Sequence, residues 1–137
     1  MTEQTLILIK PDGVQRGLTG EILARIERKG YVITELKLVH VMPEQLDQHY
    51  REHLGKSFYP GLIEYMTSGP VVAAVIEGDR VIEGVRSLCG ATDPTTAAPG
   101  TIRGDYGRDW GTGAVFNLVH SSDSVESAQW EKSVWFS

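Results

Sequence analysis

A single cysteine, Cys89, stands among 137 residues, so no intrachain disulfide can form. With no secretory n-region, h-region or cleavage site between Met1 and Lys10, a reducing, cytoplasmic setting is the expected one. No apolar run approaches the roughly 20 residues of a bilayer-spanning helix, so no membrane role is expected. Basic residues are in the minority, 13 against 18 acidic, for a net charge of -5. That balance argues against a general nucleic-acid binder, which needs a basic face to displace counterions. It does not argue against a small anionic ligand, because a few converging arginines hold phosphates inside an acidic chain. Aromatic residues are also scarce, and the apolar runs Thr5 to Ile9 and Val71 to Ile76 hold no Phe or Tyr. A sheet that stacks RNA bases lacks its platform here. One cysteine and scattered histidines supply no zinc-ligand spacing, so no protein-held metal is expected.

What is present describes one globular domain spanning residues 1–137, with 41% hydrophobic and 23% charged residues and no repeat, linker or low-complexity tract. Thr5 to Ile9 reads as a strand stopped by a turn at Lys10-Pro11-Asp12-Gly13. Ile22, Leu23 and Ile26 recur at helical spacing, with Gly30 as a left-handed cap. Tyr31 to Val41 reads as an edge strand. Pro43 opens a helix whose buried stripe is Leu46, Tyr50 and Leu54, ending at Gly55. Pro60 opens another over Leu62, Ile63 and Met66. Val71 to Ile76 is the most hydrophobic strand, expected to be buried on both faces. Asp79 is expected to cap a helix carrying Val81, Ile82, Val85 and Leu88. Gly90 to Gly113 is a long loop of the kind that is usually functional. Val115 to Val119 is the last strand, and Asp123 with Glu126 is expected to form a capping box on the final helix. The order predicts an α/β (α+β) fold, a ferredoxin-like, mainly antiparallel mixed sheet with helices packed on it.

Three short motifs carry little. Gly55-Lys56-Ser57 echoes the end of a P-loop, but Tyr50 stands where the first glycine belongs. Gly111-x-Gly113 reaches Phe116 where a dinucleotide fingerprint needs a third glycine. Arg103-Gly104-Asp105 matches an adhesion motif by letter alone. The region that stands out is Asn117 to Ser124, where a hydrophobic strand passes polar groups into a helix start. His120 at that junction lies where ligand clefts form, near helix N–H groups suited to phosphate oxygens. A neutral imidazole with one nitrogen fixed by a partner such as Glu131 offers the other as a nucleophile. A cap or satisfied core histidine is the plain alternative reading of the same position. For His40, His49 and His53 the structural reading is preferred, since they fall within ordinary helix or strand patterns.

The blocks Lys10-Pro11-Asp12-Gly13-Val14, Thr101-Ile102-Arg103-Gly104-Asp105 and His120-x-Ser122-Asp123-Ser124 together resemble nucleoside diphosphate kinases. Gly20-Glu21-Ile22, Gln48-His49-Tyr50, Ser68 to Ala73, Thr92-Asp93-Pro94 and Ser127-Ala128 extend the resemblance, in order, over essentially the whole chain. It implies a ping-pong reaction in which the terminal phosphate of a nucleoside triphosphate passes to His120 and then to a nucleoside diphosphate. It implies that Glu131 orients the His120 ring, and that Lys10, Arg86, Thr92 and Arg103 bind phosphate. Tyr50 is implied near the nucleophile, with packing beside Leu46 and Leu54 as its alternative. Phe58 is implied to stack on the base with Leu62 as an apolar neighbour, Asn117 to bind the sugar hydroxyl, and Ser122 to support the nucleophile region. Mg2+ is implied to arrive on the nucleotide phosphates. A homo-oligomer is implied, a hexamer in preference to a tetramer. Two departures stand out. Gly107 to Phe116 is a few residues longer than the family's stretch, which unsettles any base contact by Ala114 or Val115. Ser121 replaces the family's glycine, at a cost on the order of 1 kcal/mol if that position requires positive φ. These departures keep a catalytically weak relative with a regulatory or scaffolding role as the alternative.

Overall fold

The structure is a computed structural model, and it describes residues 2–111 and 116–136. The chain opens with strand β1 (Thr2–Ile9), helix α1 (Pro11–Gln15), helix α2 (Thr19–Arg28) and strand β2 (Val32–Val39). Helix α3 (Pro43–His49), a 3-10 turn at Arg51–His53 and helix α4 (Tyr59–Met66) lead to strand β3 (Val71–Asp79). Helices α5 (Val81–Cys89) and α6 (Ile102–Tyr106), strand β4 (Val119–Ser121) and helix α7 (Val125–Trp135) complete the described elements.

The strands form one sheet in the order β2-β3-β1-β4, and each neighbouring pair is antiparallel. This is the ferredoxin-like arrangement, with β2 on an edge as its mixed polar and apolar pattern predicts. Alternation along the two central strands builds two cores. Ile7 and Ile9 of β1 with Val72, Ala74 and Ile76 of β3 face α2 and α5. Leu6 and Leu8 with Val71, Ala73 and Val75 face α3, α4 and the end of α7. Each fully buried aliphatic side chain contributes about 1.5–3 kcal/mol. Those layers hold elements too short to persist alone, such as the five-residue α1.

Several local expectations give way to tertiary structure. The Lys10 to Gly13 turn is the start of α1, with Pro11 at its first position. Gly13 permits the approach of this helix to the β4 entry, since a Cβ there would lie 2.9 Å from Ile9 Cγ2 and 3.3 Å from the Leu118 carbonyl. The stripe Leu46, Tyr50, Leu54 is broken, because α3 ends at His49 and Leu54 is exposed. Asp79 belongs to β3, and the residue before α5 is Arg80, held at φ 54°. The cap of α7 is Ser124, whose hydroxyl accepts from the Ser127 N–H at 3.0 Å, in place of the Asp123 and Glu126 box. The last strand begins four residues later than expected, at Val119; Val115 lies outside the described residues.

Candidate active site

Register decides which side of the sheet His120 serves. In β4 it pairs with Leu8 of β1, while Val119 and Ser121 pair with Ile9 and Ile7. His120 therefore shares the face covered by α3 and α7, and its neighbours in sequence point toward α5. Ser121 accordingly sits in extended strand backbone against Cys89. Among the described residues, positive φ at non-glycine positions occurs only at Arg80 and Leu118. The strain expected at Ser121 is absent; it is found three residues earlier, at Leu118, with φ 72°.

Leu118 is the centre of a tight turn closed by the Val119 N–H on the Asn117 carbonyl at 2.8 Å. Left-handed backbone is costly for a leucine, so surrounding bonds must enforce it. The Lys10 N–H donates to the Leu118 carbonyl at 2.7 Å, and the Leu118 N–H donates to Asp12 Oδ2 at 3.2 Å. Asp12 is itself braced through its other oxygen by the Tyr65 hydroxyl. The Arg103 guanidinium clasps the same stretch, donating to the carbonyls of Asn117 (3.2 Å), Val119 (2.7 Å) and Gly90 (2.8 Å). Gly90, at φ 85°, lets α5 end against Thr101, whose side chain leaves no room for a Cβ there.

One carboxylate then fixes the His120 ring. Glu131 of α7 is buried, and its Oε1 lies 2.8 Å from His120 Nε2 and 2.8 Å from the Ser122 hydroxyl. Ser122 Oγ accepts the Leu6 N–H at 3.0 Å. Its one proton has the Leu6 carbonyl as an alternative acceptor only at 3.4 Å, so it goes to Glu131. An ionised Oε1 accepts from both partners, which places the imidazole proton on Nε2 and the lone pair on Nδ1.

His120 lines a cleft of about 480 Å³ together with Lys10, Arg86, Thr92, Arg103, Asn117 and Asp123. Both arginines thus lie on the His120 side of the molecule. Lys10 Nζ donates to Asn117 Oδ1 at 2.8 Å, and Asn117 Nδ2 donates to the Thr92 carbonyl at 3.2 Å. Burial of the ammonium, followed by the positive charge of Arg103, lowers the Lys10 pKa to about 8. Burial likewise depresses Arg103, with Arg86 adding to the effect. Concentrated, under-neutralised positive charge is a feature that a bound anion would relieve. An internal cation site is a poor fit, because the Glu131 oxygen nearest His120 is already engaged and three cationic side chains line the space.

The remaining predicted residues lie around this centre. Tyr50 lines an adjoining space of about 390 Å³ with His49, His53, His120 and Glu131. Burial pushes its phenol well above the ordinary range, so it serves as a hydroxyl. Phe58 is half exposed at the entry of α4, edge-on to His53 at 5.3 Å. Leu62 packs against the second core, as do Phe116 and Tyr50. Ala114 and Val115 lie outside the described residues. A gathering of histidines that the helix and strand patterns conceal also lies here: His49 stands 4.6 Å from His120, centroid to centroid, and His53 lines both spaces. A clue was available in His49 and His53 falling four apart just before Gly55, where the helix has to end.

Known proteins resemble this chain throughout its length. The sequence profile of the nucleoside diphosphate kinase family matches residues 3–137. A nucleoside diphosphate kinase of Mycobacterium avium is 58% identical over 137 residues, covering 99% of this chain and 98% of the relative. One from Streptomyces coelicolor is 59% identical over 140 residues, covering 99% and 97%. Among solved structures, a halophilic nucleoside diphosphate kinase from Halobacterium salinarum in complex with CDP superposes with a TM-score of 0.92 at 46% identity, covering 99% of this chain and 88% of that one. A transition state mimic of the Borrelia burgdorferi enzyme with bound vanadate and ADP gives 0.93 at 35% identity, with the same coverage.

Proposed function

We propose that this chain, which belongs to the nucleoside diphosphate kinase family, moves the terminal phosphate of a nucleoside triphosphate to a nucleoside diphosphate through a phosphohistidine at His120. The carrying observation is the Ser122, Glu131, His120 network, which leaves a lone pair on Nδ1 in a cleft lined by Lys10, Arg86 and Arg103. In the first half-reaction Nδ1 attacks the γ-phosphorus, and the bond from that phosphorus to the bridging oxygen breaks. The Mg-bound diphosphate leaves with the electron pair. Glu131 holds the Nε2 proton while positive charge develops on the ring. A second diphosphate then attacks the phosphohistidine, reversing the steps.

Lys10, Arg86 and the two N–H groups of Arg103 not committed to carbonyls are placed to balance charge on the transferring group. Thr92 extends the phosphate-binding edge, Asn117 bridges it to Lys10 and takes the sugar hydroxyl, and Tyr50 flanks the nucleophile. Phe58 and Leu62 receive the base, a mode that tolerates every base because each has a π-face. Mg2+ comes with the nucleotide as part of the substrate. The chain works as one domain in the cytoplasm, and as a homo-oligomer, a hexamer in preference to a tetramer. The β2 edge, unpaired among the described residues, supports that assembly, since Val32 (60%), Leu36 (53%) and Leu38 (63%) are left exposed along it.

Intact mass after incubation with Mg-ATP tests the reading. One acid-labile phosphate is expected, absent in His120→Ala, which retains nucleotide binding. A folded wild-type chain whose mass does not shift would instead be the silent, scaffolding relative.

A further inference from the structure

His49 has no part in the transfer as described, yet it is among the most tightly specified side chains near it. It stands at the end of α3, 8% exposed, with three rings at right angles around it. Tyr50 lies at 4.6 Å, His120 at 4.6 Å with an interplanar angle of 78°, and Trp135 at 5.6 Å. The buried Trp135 indole N–H donates to His49 Nδ1 at 3.0 Å. An indole only donates, and a neutral imidazole carries one proton. The His49 lone pair is therefore on Nδ1, already engaged, and its proton is on Nε2.

This arrangement settles what the cluster is. His49, His120 and Glu131 offer ligand atoms within 4.8 Å of one another, a spacing that would suit a metal ion. A metal would need a free lone pair on His49 and a free Glu131 oxygen facing it. Trp135 holds the first, and the second already accepts from His120 and Ser122. Charge is disfavoured as well. Burial first, and then the electrostatic influence of His120, Lys10 and His53, hold His49 well below the usual imidazole range.

A neutral, immobile ring at right angles to the nucleophile has a mechanical consequence. One hydrogen bond at Nε2 restrains the rotation of His120 about its Cβ–Cγ bond only loosely, and in-line attack is sensitive to aim. We propose that His49 is a positioning residue for His120, held by Trp135 as an uncharged Nε2–H imidazole that braces the nucleophilic ring and fixes the direction of Nδ1. The groups facing it are His120 from β4, Glu131 and Trp135 from α7, Tyr50 and His53 from its own connection, and Lys10 from the end of β1. The inference rests on His120 being the phosphorylated residue.

Nitrogen-15 NMR of histidine-labelled wild-type protein reads the tautomer directly. His49 is expected to show a protonated Nε2 and an unprotonated Nδ1, unchanged from about pH 5 to 8, where a free imidazole titrates. His49→Asn keeps an acceptor for the indole but removes the ring. It is expected to slow single-turnover labelling from Mg-ATP on the order of tenfold while the nucleotide KM stays within about twofold. Trp135→Phe keeps the bulk and removes the N–H, and is expected to disturb the His49 signals and slow labelling several-fold. A His49 that titrates like a free imidazole, or folded variants that label at the wild-type rate, would overturn the inference and leave the kinase reading standing. A folded wild-type chain that takes no phosphate ends both.

Discussion

The two walls of the cleft are built on different terms. On the wall made by β4, α7 and the end of β1, side-chain polar atoms are closed into networks: His120 through Glu131 to Ser122 and Leu6, Lys10 through Asn117 to Thr92, and Arg103 to three carbonyls. The side carried by His53 is surface-like. Phe58, which meets the His53 ring edge-on, is 51% exposed. The difference matches what the proposed reaction asks of each side. Groups that meet developing charge act best when already oriented, because nothing then reorganises during the reaction. A wall that accepts any base needs a flat apolar face and little else.

Breaking the ordered wall has the largest expected effect. Glu131→Gln retains an acceptor for Nε2 but sets a neutral amide where one carboxylate oxygen serves two donors, so the ring loses both its charge partner and its enforced tautomer. Single-turnover labelling from Mg-ATP is expected to fall on the order of 100-fold, with nucleotide affinity little changed. An equal loss in affinity and rate would place Glu131 in binding and dissolve the contrast.

Next in size is the pH response of Lys10. Its folded pKa of about 8 lies below the ordinary 10.5, through burial first and Arg103 second. A bound phosphate restores the charged form, so above about pH 8 each complex must first collect a proton. Affinity for Mg-ADP is expected to fall by up to tenfold per pH unit above that point. The stability of the free chain moves the opposite way. Between about 8 and 10.5 the unfolded lysine binds more protons than the folded one, so the Lys10 contribution to stability rises with pH. Isothermal titration and thermal melts of the chain against Lys10→Met check both slopes. A flat affinity profile would mean the ammonium is charged throughout.

The same contrast explains what could be read from sequence. The sheet was legible because β1 and β3 each carry an uninterrupted apolar run with alternate residues in separate cores. That His120, Lys10 and Arg103 line one cleft was legible from the resemblance, since each falls in a motif long enough to align. The bracing was not. His49 reads as an interior residue of a helix running to Gly55, whereas α3 ends there and its ring lies against His120. The strained Leu118 was hidden because leucine has no preference for positive φ; four hydrogen bonds that tie Lys10, Asp12 and Arg103 to the backbone of Asn117, Leu118 and Val119 impose it. Three-residue β4 was misplaced because so short a strand has no period of its own.

On the open wall, Phe58→Ala removes a stacking face that is half in water already. The expected loss is near the lower end of the range for stacking, about 1 kcal/mol or roughly fivefold in KM. It should fall alike on ADP, GDP, CDP and UDP, with the rate from bound complex nearly unchanged. Dependence on one base would show that this wall recognises more than a π-face, and would sharpen the division between chemistry and recognition.

The smallest effect is expected at Ser121→Gly, which restores the residue the family has beside its histidine. If serine strained this position, the change would stabilise the chain and speed transfer. Ser121 lies in extended strand backbone opposite Ile7, buried toward Cys89, where its hydroxyl bonds the thiol side and nothing calls for glycine. Glycine in a strand gives up about 0.5–1 kcal/mol through the greater freedom of its unfolded chain. The melting temperature should therefore drop by about 2–4 °C while labelling of His120 stays within about twofold. The imidazole is aimed by Glu131 and by the clasped turn at Leu118, both of which the substitution leaves in place. A variant that melts higher and labels several times faster would show that the ordered wall carries strain at the residue beside its nucleophile.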